Sequence, residues 1–324
     1  MFTTKGIFSL YCNYGISINF FIFYINLLYD KYMSIDIDNC KYIKPIVRFG
    51  YIINFLENNF SIYKKRDIFD DKSITKKWLE ENNFPYVKAI DYYNVDKNKL
   101  IVIKPLNETR GNGINIKKRH ELPDRLPPNY LAEEYIIGNH YRIVIFKGQI
   151  IGIILRIPAF VIGDGIHTIK ELIEIQNLDR CTKTQLFCND ICNNNKDKIL
   201  EKDKKYFINN VSNYAKGGTI HIVDLKNVHA DIFDLCNNIY NKINVNLFGI
   251  DFICTYINKS LEKQKSAINE FELYNDIDIH YITNDNVFRF YKVLLVKWII
   301  ILIVLLFLII FFIRKINIWF NYFF

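Results

Sequence analysis

The sequence predicts an α+β fold in which antiparallel hairpins alternate with helices, followed by a C-terminal helix long enough to cross a bilayer. Three features carry that reading. Short apolar, β-branched runs recur through the middle of the chain, separated by glycine- and proline-containing turns. Residues 231–243 repeat their apolar side chains at helical spacing. Residues 293–313 form an almost unbroken aliphatic stretch.

The elements follow in order. Residues 1–70 make a short, apolar N-terminal region. Gly6 to Tyr29 carries no charge, but Asn13, Asn19 and Asn26 interrupt it. It lacks the basic start and small-residue cleavage site of a signal peptide, so a buried strand and helix are expected there rather than a second span. Residues 71–83 (DKSITKKWLEENN) read as a helix. Asp71 or Ser73 caps it, Ile74, Trp78 and Leu79 share one face, and Pro85 ends it. Leu100–Leu106 and Ile114–Lys118 form a hairpin across a polar loop holding Gly111 and Gly113. Pro127 and Pro128 break the chain before a strand over Tyr130–Ile137. Tyr141–Phe146 and Ile150–Ile157 pair through Lys147-Gly148. Gly163-Asp164-Gly165 turns into a helix over Thr168–Ile175. An Asn- and Lys-rich stretch at 189–204 reads as an exposed loop. In the helix Asp231–Ile243, Ile232, Leu235, Cys236, Ile239, Tyr240 and Ile243 lie on one face. A last hairpin pairs Phe248–Ile257 with Ser266–Leu273.

Composition narrows the function classes. Half of the residues are apolar, enough for a substantial core and too many for a disordered chain. The formal charge of +8 fits either an anionic partner, such as nucleic acid, a membrane surface or an anionic substrate, or, as the evenly scattered lysines of a chain rich in Asn, Ile, Lys, Tyr and Phe favour, the bias of an AT-rich genome. No zinc-finger spacing, RNP-type motif or continuous basic helix is present, so no nucleic-acid partner is expected. Seven cysteines, an odd number, suit reduced thiols. Cys181, Cys188 and Cys192 lack the paired short spacings of a zinc site.

Val293 to Ile313 (VLLVKWIIILIVLLFLIIFFI) spans a bilayer at about 1.5 Å per residue. Lys297, its only charge, lies near one end, where it can snorkel. Arg314 and Lys315 close the run, and Trp298, Trp319 and Tyr322 suit the interfaces. Residues 286–324 therefore read as a membrane anchor and tail.

Four motifs lie between. The first is Asp71-Lys72 with Thr75-Lys76, then Asn83-Phe84-Pro85. The second is KPLNETRGNGI, Lys104 to Ile114, where Gly111 and Gly113 let backbone N–H groups approach phosphate oxygens. The third is EEYIIGNHYRIVIF, Glu133 to Phe146, with RIPAFVIGDGIHTIKELI, Arg156 to Ile173. The fourth is Phe248-Gly249-Ile250-Asp251 with AINEFELYNDIDIH, Ala267 to His280. A Lys216-Gly217-Gly218-Thr219 turn supports them.

Together these motifs, over roughly residues 71–285, resemble the ATP-grasp carboxylate–amine ligases. The likeness is to the ATP-grasp domain of cyanophycin synthetases and of bifunctional glutamate–cysteine ligase/glutathione synthetases. The resemblance implies two antiparallel-sheet subdomains that clamp ATP. It implies that Lys72, Lys104, Gly111 and Gly113 meet the phosphates, and that Glu133, Glu134, Tyr135 and Ile136 form the hinge strand at the adenine. Arg142 and Arg156 would face phosphates or the substrate carboxylate, with Arg156 and Lys104 as the catalytic pair. Asp251, Glu270 and Glu272 would hold Mg²⁺, with Mn²⁺ as the second candidate.

The chain departs from its relatives in four places, the first being Asn83-Phe84 before Pro85, where Gly is usual. His140 stands where they carry a carboxylate for the ribose. Glu272 replaces Asn, and Asn275-Asp276 replaces Pro-Gly. The implied reaction activates a carboxylate as an acylphosphate and joins it to an amine of an amino acid or peptide. The alternative is a degenerate, membrane-tethered homologue acting as a nucleotide-binding or interaction module. The expected setting is a single-pass C-terminal anchor with the catalytic domain in the cytosol, and family members often form oligomers.

Overall fold

Strand alternation decides which side of the main sheet is core. The computed structural model describes residues 53–58, 65–106, 112–178, 194–273, 279–280 and 283–323. Within these, β4 (Asn139–Phe146), β5 (Gln149–Ile157), β8 (Thr219–Val223), β9 (Leu247–Cys254) and β10 (Ser266–Glu272) form a five-stranded sheet in the order β10-β9-β4-β5-β8. All its pairs are antiparallel. On β4, Tyr141, Ile143 and Ile145 pack with Ile232, Leu235, Cys236, Ile239 and Ile243 of the helix α4 (Ala230–Ile243). The alternate residues His140, Arg142 and Val144 project from the other face. β9 is buried along its whole length, because elements cover both faces. The β4–β5 turn, Lys147-Gly148, has φ of 48° and 81°, the positive pair that a two-residue hairpin needs.

A smaller sheet, β2-β1-β3, joins β1 (Leu100–Pro105), β2 (Asn115–Lys118) and β3 (Tyr130–Glu134) around Ile101, Ile103, Ala132, Tyr92 and Leu122. It meets the large sheet where Val87 N–H donates to Ile268 O (3.1 Å) and Ile268 N–H to Pro85 O (2.9 Å). β3 stops at Glu134, short of the expected Ile137. The chain crosses there to the large sheet at Gly138, where a Cβ would lie 2.9 Å from the Cys254 carbonyl carbon. β6 (Phe160–Ile162) and β7 (Lys205–Phe207) pair beside α3 (Ile169–Leu178). Thr168 and Glu171 cap α3 reciprocally.

α1 (Arg66–Asp70) leads into α2 (Lys72–Glu81), whose cap is Asp71, with its carboxylate accepting from Ser73 N and Ile74 N. The buried face of α2 is Thr75, Lys76 and Leu79. Ile74, expected on that face, is 41 % exposed, whereas Trp78 packs as expected against the core that holds Leu79, touching Phe84 and Phe271.

The last element, α5, runs unbroken from Asn286 to Phe323. Val287, Phe288, Tyr291 and Leu294 are buried against Val144 and Leu247 and against Ile53 of a short helix over 53–58. Beyond Trp298 the aliphatic side chains are exposed on every side, Leu302 by 60 % and Phe312 by 59 %. The helix is long and apolar enough to cross a membrane. Lys297, expected to snorkel, is instead held by Glu57 at 2.7 Å. The expectations for Gly6–Tyr29, Gly111, the 181–192 cysteines, Asn275-Asp276 and the first five residues of the 189–204 loop lie outside the described residues; the rest of that loop, 194–204, is exposed apart from Asn195 and the buried Leu200.

Candidate functional site

The face of the large sheet opposite α4 carries a charged cluster built by register. Arg142 on β4 sits directly across from Asp251 on β9, and His140 across from Arg156 on β5. Arg142 Nε donates to Asp251 Oδ1 (2.5 Å), and its Nη2 donates to Glu272 Oε1 (2.9 Å). Arg156 Nη2 donates to the same Asp251 oxygen. On β10 a bulge between Ile268 and Glu270 shifts the register, so that Glu270 pairs with Asp251 and Glu272 with Gly249. The shift brings three acids together. Asp251, Glu270 and Glu272 each place an oxygen within 4.8 Å of the others'.

Electrostatics divides these acids. Burial alone would raise Asp251, but the guanidiniums of Arg142 and Arg156 outweigh it and hold its carboxyl low. Glu270 is pushed up by burial and by the Asp251 charge beside it, so it ionises after Asp251. His140 is lowered to about 4 by burial and by Arg156, which keeps its imidazole neutral near pH 7. A neutral imidazole has one donor and one acceptor nitrogen and can meet a hydroxyl either way.

A second cluster sits at the junction of the two sheets. Glu133 on β3 is buried, and each carboxylate oxygen meets an ammonium: Lys104 on β1 at 2.9 Å and Lys76 on α2 at 2.7 Å. Lys76 also donates to Val87 O. Its pKa is lowered, because burial outweighs the attraction of Glu133. Lys104 donates to Asn269 Oδ1 (3.2 Å), the residue before Glu270, which ties this cluster to the acids. Lys72 Nζ reaches Leu106 O at 3.0 Å, at the end of β1.

The sequence-predicted residues thus fall into neighbouring groups. His140, Arg142, Arg156, Asp251, Glu270 and Glu272 share one sheet region, and Lys104 and Glu133 share the other. Glu134 turns away, pairing with Lys265 at 2.6 Å and accepting from Lys88 N. Ile136 is buried with Val87, Ile253 and Ala267, and Tyr135 is half-buried. Gly113 has φ +69°, and a Cβ there would lie 2.9 Å from both Pro105 Cγ and Tyr130 Oη, so only glycine fits. Sequence reasoning missed two participants, Lys76 and Asn269. Lys76 was signalled, since it closes the D-K-x-x-T-K motif and falls on the face of α2 that holds Leu79.

Three hard oxygen donors of this kind suit a small divalent cation. Carboxylates that close repel one another unless positive charge offsets them; Arg142 pairs directly with Asp251 and Glu272 and Arg156 with Asp251, while Lys104, Lys72 and Arg142 act on Glu270 without a direct ion pair.

Comparison with known proteins agrees with the motifs. The chain is 27 % identical over 233 residues to cyanophycin synthetase from Synechocystis sp., covering 62 % of this chain and 27 % of that one. It is 28 % identical over 248 residues to the glutathione biosynthesis bifunctional protein GshAB from Clostridium perfringens, covering 66 % and 32 %. Among solved structures it is similar to a bifunctional glutathione synthetase from Pasteurella multocida, with TM-score 0.44 and 21 % identity over 67 % of this chain and 33 % of that one. No family model matches the chain. The chain spans no more than 32 % of the length of these two curated relatives. The resemblance to ATP-grasp ligases of the cyanophycin and glutathione type is borne out in sequence, and the α+β class with antiparallel sheets is the one expected.

Proposed function

We propose that this ATP-grasp relative is an ATP- and Mg²⁺-dependent ligase that activates a carboxylate as an acylphosphate and joins it to an amine of an amino acid or peptide. The observation that carries the reading is the acid triad. Asp251, Glu270 and Glu272 converge within 4.8 Å beside two arginines, and Lys104 is bonded to the residue next to Glu270. Mg²⁺, or Mn²⁺ as the second candidate, would be held by these three acids. Bound there, it supplies positive charge that draws phosphate oxygens in and offsets the charge of phosphoryl transfer.

The chain's own groups do the rest. Lys72 and Lys104, with the backbone of the Gly111–Gly113 loop, bind phosphate oxygens. The backbone from Glu133 to Ile136 meets the adenine edge, while the Glu133 carboxylate holds Lys104 and Lys76 in place. His140, as a neutral imidazole, hydrogen-bonds a ribose hydroxyl. Arg142 keeps Asp251 and Glu272 ionised and oriented. Arg156 orients the substrate carboxylate against the γ-phosphate, its planar fork matching two oxygens. The γ-phosphoryl group moves to that carboxylate, the amine attacks the acyl carbon, and phosphate leaves with ADP as the other product. The work is positioning and charge stabilisation, which needs no protein nucleophile. The apolar part of α5 holds this domain at a membrane as a single-pass C-terminal anchor, with the site in the cytosol, where ATP is.

A second reading, a nucleotide binder without ligase activity, is favoured by His140 and by the Arg142–Glu272 pair (2.9 Å), which occupy positions where the relatives carry a carboxylate and Asn. The test is phosphate release from Mg-ATP across pairs of amino acids and short peptides, with mass spectrometry of the product. Release that requires both partners, with an amide formed, supports the ligase. Saturable nucleotide binding with no release for any pair supports the second reading.

A further inference from the structure

Charge cluster and helix seat share one face of the large sheet. Antiparallel register puts His140, Arg142 and Val144 of β4 on that face, with Gly152, Ile154 and Arg156 of β5 opposite them. α5 starts over the middle of this face. Val287 lies on Gly152 so closely that a Cβ there would come within 2.3 Å of Val287 Cγ2. One turn on, Phe290 meets Phe146 with ring centroids 4.9 Å apart. The helix therefore runs along β4 away from Arg142 and leaves the sheet at the β4–β5 turn.

Polar clamps fix it at both ends of this seat. At its start, Asp285 caps α5 by accepting from Phe288 N (3.0 Å), and its other oxygen is held by the buried His280 (2.7 Å). At its exit, one oxygen of Glu57 takes both Lys297 Nζ and Trp298 Nε1, each at 2.7 Å. Glu57 is 4 % exposed, and its own backbone carbonyl accepts from Asn246. Asn246 in turn bonds Lys147 at the hairpin turn. Asn58 closes the clamp, giving to Leu247 O (2.9 Å) and accepting from Leu247 N (2.8 Å). Between the clamps, Asn54 donates to Tyr291 Oη at 3.1 Å. Buried bonds that include a charge resist opening, since a break leaves the carboxylate desolvated.

Past Trp298 the pattern changes. One packed face gives way to aliphatic side chains exposed all round, from Ile300 at 50 % to Ile316 at 56 %. That stretch needs an apolar surround, and its length, about 25 Å at helical rise, matches a hydrocarbon layer. The bilayer surface thus falls near Trp298. Four strand residues from Arg142 to Phe146 and two helical turns from Phe290 to Trp298 together span about 25 Å.

We infer that α5 is a rigid stalk that holds the candidate site about 25 Å from the bilayer, at the end of the sheet remote from it, so that the carboxylate and amine joined there are water-borne solutes and not lipid headgroups. The statement about substrates rests on the ligase reading; the stalk does not.

The experiment uses the full chain in vesicles carrying a headgroup-linked acceptor dye. A donor fluorophore is placed, as an encoded unnatural residue, at Ile137 on the site end or Gln149 on the turn end. Energy transfer several-fold greater from position 149 than from 137 is expected. Equal transfer means a flexible tether, and the reverse order means a site against the membrane; either overturns the stalk. The same vesicles are then assayed for phosphate release with amino acids or dipeptides in solution, and separately with phosphatidylethanolamine or phosphatidylserine as the only amine. Turnover with the soluble amines alone is expected, and turnover with the lipids alone overturns the substrate assignment. No turnover with either, alongside the expected transfer ratio, counts against the ligase reading and leaves the stalk standing.

Discussion

The two buried charge clusters are opposite in sign. Around Glu133, two ammoniums, Lys76 and Lys104, share one carboxylate, an excess of one positive charge when all are ionised. Around Asp251, two guanidiniums face three carboxylates, an excess of one negative charge. Asn269 links them through Lys104. A cation-rich pocket suits phosphate oxygens, and an acid-rich one suits a divalent metal. A metal–triphosphate bridging the two would meet the sign that it needs on each side. Neither cluster has to be stable alone, because each carries charge that a ligand would offset.

The largest effect that tests this contrast is Asp251→Asn. It leaves Arg142 and Arg156 buried without the carboxylate they share, and a loss of about 3–5 kcal/mol is expected in urea denaturation. Glu133→Gln comes next, at about 2–3 kcal/mol, since Lys76, already lowered, can shed its charge and relieve part of the cost. If Glu133→Gln proves the costlier, the lysine cluster and not the acid cluster is the main buried support.

The pH dependence sharpens the comparison. His140 is depressed from 6.5 to about 4 in the fold, so the unfolded chain takes up its proton first. The stability this group contributes is present above pH 6.5 and is lost as pH falls towards about 4. Asp251, also depressed, contributes stability above its ordinary value of 3.8 that is lost at more acid pH. His140→Asn is therefore expected to flatten the stability profile between pH 6.5 and 4 while keeping the fall below it. An unchanged slope in that window would mean that the imidazole is not desolvated. The smallest effect is Glu272→Asn, the residue that the family resemblance implies at this position. Its side chain is 29 % exposed, so about 0–1 kcal/mol of stability is expected to change. The magnesium concentration needed for nucleotide binding should move more than the stability does.

What was legible in the sequence follows from the range of each signal. The hairpins and α4 were readable because alternation and helical period are local. The acid triad was readable only through the motif, since the β10 bulge that aligns Glu270 with Asp251 leaves no local mark. The buried face of α2 was misjudged at Ile74, because a Lys on a helix reads as solvated until its partner is known. Lys76 is buried only because Glu133 receives it. Lys297 was misread for the same reason, with its acceptor Glu57 lying 240 residues away. The C-terminal end of β3 was overrun because apolar Tyr135, Ile136 and Ile137 continue the pattern where the backbone crosses between sheets.

The proposed ligase depends most on joint binding of a metal–nucleotide by the acid triad and Lys104. That binding is tested most directly by thermal melting of the full chain with ATP, with and without Mg²⁺, for the wild type, Lys104→Ala and Glu270→Gln. A magnesium-dependent rise in Tm is expected for the wild type, abolished by both substitutions. No rise in the folded wild type, or a rise that survives both substitutions, would contradict it.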